Sequence, residues 1–225
     1  MAKKKKNLSY HERMQQEAAN QQAKAAKRRK NITLAAIGCG LLAIAIVLTV
    51  IFWPGSLDDN TDYYAKIVIA DYGTITVKLD PKAAPITVAN FVKLADSGFY
   101  DGLTFHRIIE GFMMQGGAPA TSEDKVANIV GEFSSNGYEN NLKHTRGVIS
   151  MARSDDPNSA NSQFFIMHQD APHLDGKYAA FGCVVEGIEV VDAVCRSAKP
   201  IDGNGSIAAN DRPVIRSVSI IRENG

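Results

Sequence analysis

Phe105-His106-Arg107-Ile108-Ile109-Glu110-Gly111-Phe112-Met113-Met114-Gln115-Gly116-Gly117 is the stretch on which the reading of this chain turns. Three later blocks belong with it: Ser150-Met151-Ala152-Arg153, Asn161-Ser162-Gln163-Phe164-Phe165-Ile166, and Leu174 through Tyr178 to Gly182. Read as strands, alternate residues share a face. Arg107 and Ile109 then face one way and His106 and Ile108 the other, while Phe165 shares a face with Gln163. Phe, Met and Leu gathered beside one Arg and one Gln make an apolar pocket with few polar groups, the usual composition of a ligand site. Periodicity alone leaves open that Phe112, Met113 and Phe165 are core.

Outward from these blocks the pattern stays mainly β. Residues 65–79, AKIVIADYGTITVKL, read as two short strands around the turn Asp71-Tyr72-Gly73. In ITVANFVKLADSG, Val88, Phe91, Val92 and Ala95 recur at helical spacing and Gly98 is a stop signal. Further strands are expected over Phe112–Gln115, Gly147–Met151, Gln163–Met167, Phe181–Val185 and Val214–Arg222, with a second helix over Ile188–Arg196. Many short strands with two helices predict a closed barrel or a sandwich.

The amino-terminal quarter is of another kind. Residues 1–30 hold seven Lys and three Arg against Glu12 and Glu17, residues 31–53 hold no charged side chain, and residues 54–225 hold 15 basic against 22 acidic ones. The net charge of +1 therefore conceals a basic head and an acidic body. An acidic body repels phosphate, so nucleic acid is not an expected partner. Ile32–Trp53 is 22 apolar residues long, about 33 Å as a helix, which matches a hydrocarbon core of about 30 Å. Pro54-Gly55 follows it, and Trp53 suits the interface. A cleaved signal peptide needs a shorter run and an A-x-A site, and a lipoprotein reading at Cys39 would leave most of the run behind it. The sequence predicts a single-pass anchor in the cell membrane with a cytoplasmic amino terminus and an extracytoplasmic body. The expected organisation is a basic tail (1–30), a transmembrane helix (31–53), a linker (54–63) and one catalytic or binding domain (64–225).

Other chemistries find little support. There is no G-x-S-x-G and no phosphate-cradling Gly loop. His168 and His173 are five apart with no Cys nearby, a poor zinc pair. Asp202-Gly-Asn-Gly-Ser begins like a calcium loop, but Ile207 and Pro213 stand where Gly and Glu are needed, so it reads as a turn. Three cysteines are too few for a disulfide scaffold, and Cys183 and Cys195 read as buried free thiols.

From about Tyr64 to Arg222 the chain resembles the cyclophilin family of peptidyl-prolyl isomerases. FHRII-GFM-QGG and NSQFFI carry the likeness. The resemblance implies a closed eight-stranded antiparallel barrel capped by two helices, and it implies turnover without metal or cofactor. It implies Arg107 as the catalytic arginine and Gln115 as the residue that holds substrate backbone and helps orient that arginine. Phe112, Met113, Phe165 and Leu174 match the proline pocket, and Ala152 and Arg153 the stretch that pairs with peptide backbone. His173 and Tyr178 match the pocket edge. The family commonly has Asn in place of Arg153, Trp in place of His173 and His in place of Tyr178. Loss of that Trp predicts weak or absent cyclosporin binding. The expected partners are proline-containing polypeptides and, through residues 31–53, the membrane. The alternatives are a module that holds proline segments without turnover and a membrane-tethered scaffold.

Overall fold

The computed structural model describes residues 57–58, 60–121 and 126–224. The expected tail and transmembrane helix lie outside them, and no helix among the described residues is long and apolar enough to cross a membrane. Among the described residues there are eight strands: β1 (Thr61–Ile69), β2 (Gly73–Leu79), β3 (Phe105–Ile109), β4 (Met113–Gly116), β5 (Val148–Met151), β6 (Phe164–Met167), β7 (Ala180–Glu186) and β8 (Ile215–Asn224). Helix α1 (Pro85–Asp96) follows β2, and α2 (Ile188–Ser197) follows β7.

All eight strands form one antiparallel sheet in the order β3-β4-β6-β5-β7-β2-β1-β8. A closed barrel was expected. The two outer strands in fact share no ladder; a single bridge, Thr104 with Val214, joins their ends. It is flanked by bonds from the Phe105 amide to the Pro213 carbonyl (2.9 Å) and from the Ile215 amide to the Leu103 carbonyl (2.7 Å). Further along β3 its free edge is taken by another segment. The Ile108 amide donates to Gly205, and the Ile207 amide donates to His106. The edge is thus covered without a full ladder, one of the ways a sheet avoids offering an open template.

The expected linker over 54–63 ends early. β8 runs to Asn224 and recruits Thr61, Asp62 and Tyr63 as partners of Asn224, Glu223 and Arg222, so those residues are strand.

Inward-facing residues make an apolar core rich in aromatic rings. Phe91 of α1 lies 5.1 Å from Tyr100, 5.6 Å from Phe164 and 5.3 Å from Phe181, centroid to centroid. Burying a side chain of this size is worth about 1.5–3 kcal/mol, so this cluster is a main anchor of the fold. Helix α1 has Pro85 in its first turn and no side-chain cap of its own. The fully buried Glu132 supplies one from afar: its carboxylate accepts from the Ile86 amide (2.9 Å) and the Thr87 amide (2.7 Å). These are among the donors that a helix start leaves unpaired, and an anion at that end also suits the helix dipole. Helix α2 buries Val190, Val191, Val194 and Cys195.

Of the two described cysteines, Cys195 is buried as expected, but Cys183 is exposed. On β7 it stands opposite Lys78 of β2, an outward-facing position, and the sheet's alternation turns the thiol away from the core.

Candidate active site

Strand register lays the site out in a line. Arg107 of β3 pairs with Gln115 of β4, Gln115 with Phe165 of β6, and Phe165 with Ser150 of β5. Directly opposite residues share a face, so these four form one row on the outer surface of the sheet. A second row, Ile109–Met113–Met167, runs beside it. A bulge makes this possible. Phe105 pairs with Gly116 and Arg107 with Gln115, leaving His106 as an extra residue. Phe105 and Ile108 can then both enter the core while Arg107 faces out.

The row borders a pocket of about 160 Å³ lined by Arg107, Phe112, Met113, Gln115, Ala152, Arg153, Phe165, Leu174 and Tyr178. Nine of the ten sequence-expected residues are therefore brought together. His173 is not among them. The short 3₁₀ turn Pro172–Leu174 points Leu174 inward, which leaves its neighbour exposed, with its ring stacked on Phe112 at 5.7 Å.

Arg107 is held from two sides. Its Nε donates to the Asn204 carbonyl at 2.7 Å, and its Nη1 reaches Gln115 Oε1 at 3.5 Å and Met113 Sδ at 3.9 Å. Nη2 makes no hydrogen bond among the described residues. Gln115 is itself fixed, donating through Nε2 to Gln163 Oε1 at 3.1 Å. The Asn204 carbonyl is presented by the turn that the sequence suggested only as a turn: the Asp202 carboxylate accepts from the amides of Asn204 (3.0 Å) and Ser206 (2.9 Å). These bonds hold the Asp202 carboxyl below the usual range. Gly205 has φ +86°, and a Cβ there would run into Ile109 and the Ile108 carbonyl, so only glycine lets this turn lie against β3.

Beneath the pocket floor sits a polar chain that the motifs did not reveal. His144 Nε2 lies 3.0 Å from Ser150 Oγ and its Nδ1 3.1 Å from Asp175 Oδ1, and the Asp175 carboxylate also accepts from the His144 amide at 2.8 Å. The imidazole stacks on Phe165 at 6.0 Å. Burial lowers the His144 pKa, more than Asp175 raises it. Burial alone would raise the Asp175 pKa, but the His144 amide and ring and the Lys143 charge together hold it down. Ser150 and His144 are 0% and 1% exposed, so this Ser-His-Asp array cannot meet a substrate. It fixes Phe165 and the loop that carries Leu174 and Tyr178. The motifs assigned no role to Asn204, His144 or Asp175, and they placed Gln163 only as a residue sharing a face with Phe165.

Residues 64–222 match the model of the cyclophilin type peptidyl-prolyl cis-trans isomerase family. The chain belongs to the cyclophilin-type peptidyl-prolyl cis-trans isomerases. The cyclophilin blocks of the sequence are thereby the blocks that build the pocket. Similar proteins include peptidyl-prolyl cis-trans isomerase A of Dickeya dadantii, 37% identical over 81% of this chain and 97% of that one. Isomerase B of Bacillus subtilis is 44% identical over 58% and 87%. Among solved structures, a Cryptosporidium parvum cyclophilin crystallised in the presence of the dipeptide Ala-Pro aligns at TM-score 0.60 and 28% identity, over 70% of this chain and 98% of that one. No group of three or more metal-ligating side chains occurs among the described residues.

Proposed function

We propose that this cyclophilin is a membrane-tethered isomerase that uses Arg107 to stabilise the twisted Xaa-Pro amide of exported or unfolded polypeptides. The peptide bond resists rotation by about 18–20 kcal/mol because its nitrogen lone pair is conjugated. Before proline both planar isomers are populated, and uncatalysed exchange takes tens to hundreds of seconds, roughly. When the bond twists, conjugation is lost and the prolyl nitrogen becomes a pyramidal acceptor. A donor aimed at it favours the twisted state over both planar ones, which is what rate acceleration requires.

The observation that carries this reading is how Arg107 is held. Nε and Nη1 are engaged, while Nη2 is uncommitted at the edge of an apolar-floored pocket. The guanidinium stays charged at any working pH. Phe112, Met113, Phe165 and Leu174 would grip the ring while the residue before it turns; Gln115 would hold substrate backbone. One charge-assisted bond is worth about 1.5–3 kcal/mol, or about 10- to 150-fold in rate. No covalent step enters.

The full-length protein, assayed on a proline peptide, is expected to accelerate isomerisation with or without EDTA. Arg107→Ala should lower kcat/KM at least about tenfold. Equal activity in a folded Arg107→Ala protein would remove Arg107 from the mechanism and leave a pocket that acts by desolvation alone. The anchor rests on residues 31–53 and the charge asymmetry around them. Protease added to intact cells should digest the body and spare the Lys-rich tail; the reverse pattern would overturn the orientation. Weak cyclosporin binding rests on His173 offering less apolar wall than an indole, and His173→Trp is expected to tighten it.

A further inference from the structure

Arg153 departs from what a passive pocket wall requires. Its side chain borders the same pocket as Arg107. Its guanidinium is clamped between two rings, 5.2 Å from the Phe133 centroid and 4.7 Å from that of Tyr178. It is also pinned by carbonyls: Nε donates to Lys177 (3.0 Å), and Nη1 to Ser154 (2.8 Å) and Asp155 (3.3 Å). Stacking and carbonyl bonds fix the position of the cation without cancelling its charge. Neither of the nearest acids in sequence comes within salt-bridge distance of it. Asp155 offers its carbonyl, and the Asp156 carboxylate accepts from the Asn158 amide. Among the described residues Arg146, Arg196 and Arg222 form salt bridges, whereas Arg153 and Arg107, like Arg212 and Arg216 elsewhere, form none. The backbone amide and carbonyl of Arg153 also make no hydrogen bond among the described residues, so an extended peptide can pair there and run its side chains past the guanidinium.

Two arginines without a salt bridge, each fixed by backbone carbonyls, thus border one small pocket of a domain with an excess of acidic residues. From this we infer that Arg153 is a specificity-determining residue which selects proline segments bearing an acidic side chain in the two positions before the proline, and disfavours basic ones. The inference rests on the proposal that proline peptides occupy this pocket. An ion pair at a partly exposed rim changes affinity by up to about fivefold. Attraction for Glu and repulsion for Lys act in opposite directions, so their ratio should be on the order of tenfold. Arg153 is not placed at the reacting nitrogen, so the preference should be carried mainly by KM.

The test compares peptides with Glu, Gln or Lys at either of the two positions before proline. Each is measured by isomerisation kinetics and by equilibrium binding to full-length wild type, Arg153→Lys and Arg153→Gln. In wild type, Glu should exceed Gln and Gln exceed Lys. Arg153→Lys should keep most of the ratio and Arg153→Gln should bring it near one. Raising salt from about 0.01 M to about 1 M shortens the screening length from about 30 Å to about 3 Å and should flatten the wild-type ratio. Ratios are taken within one variant, so a general loss of activity does not obscure them. Turnover with no charge preference, or a preference that survives Arg153→Gln, overturns the inference and leaves the isomerase reading intact. Arg153-dependent binding of the Glu peptides without any turnover would support the inference and overturn the catalytic reading instead.

Discussion

Two rows of side chains cross the same four strands one residue apart. The inner row is Ile108, Met114, Ile166 and Ile149; the outer row is Arg107, Gln115, Phe165 and Ser150. The inner row is fully buried and wholly apolar. The outer row has three polar groups and one aromatic ring, and each polar group is tied to another loop: Arg107 to Asn204, Gln115 to Gln163, Ser150 to His144. The inner row specifies that the strands come together. The outer row, displaced by a single residue, inherits that rigidity and spends it on aiming donors. A register slip of one residue would exchange the two, so fold and site stand or fall together.

The sharpest way to break the comparison is to truncate adjacent residues of β6. Ile166→Ala should cost about 2–5 kcal/mol of stability, read from urea unfolding, because it leaves a cavity in a closed core. Below its unfolding midpoint it should keep turning over proline peptides. Phe165→Ala, its neighbour, should lower kcat/KM at least about tenfold in protein that is still folded. If both variants lose activity in proportion to stability, the rows are not functionally distinct.

Next in size is the turn behind Arg107. In Gly205→Ala the new methyl meets Ile109 and the Ile108 carbonyl, so the turn must back away from β3 and withdraw the Asn204 carbonyl. A bond to a charged group is then lost, and kcat should fall by up to about tenfold with little change in KM. A rise in KM alone would show that Asn204 does not orient Arg107.

A smaller effect concerns acid. His144 and His106 both have lowered pKa values, each chiefly through burial, with Arg212 adding to it at His106. The unfolded chain therefore takes up protons first as pH falls. Their contribution to stability is present above the ordinary value of about 6.5 and is lost as pH drops toward the folded values. Urea unfolding should show stability level between about pH 7 and 8 and declining below about 6.5. Replacing His144 with Gln should remove part of that slope and leave the part due to His106. Asp175, with its own lowered pKa, acts in a separate window below about pH 4. The smallest effect is none at all: with Cys183 exposed and Cys195 buried and unpaired, reductant should leave Tm unchanged.

Much of this was legible beforehand because the signals were local. Val88, Phe91, Val92 and Ala95 mark α1 by spacing, and the apolar runs mark their strands to within a residue or two. The residues that line the pocket could be placed through the FHRII-GFM-QGG and NSQFFI blocks, which put Arg107, Gln115 and Phe165 on strands whose register then aligns them. What escaped depends on contacts distant in sequence. Glu132 caps a helix 45 residues away, Asn204 reaches Arg107 across 97, and neither residue type nor spacing announces a backbone carbonyl. The bulge at His106 escaped because a run such as FHRII looks regular with or without one. His173 stands at the rim, stacked on Phe112, rather than in the lining, because a 3₁₀ turn, unlike a strand, sends adjacent side chains in unrelated directions. The exposure of Cys183 was missed because a strand bordered by apolar residues on both sides gives no sign of which face is outer.

The pairing of Thr61 with Asn224 puts the first residue of β1 opposite the last of β8, roughly 5 Å apart. The domain is topologically almost a loop. A circular permutant that joins these ends through a few glycines and opens at the exposed Asp155–Asp156 turn should retain every strand pairing. A probe fused at either end would likewise be attached at neighbouring points of the same pair of strands, so exchanging the two attachment sites should change little of what the probe reports.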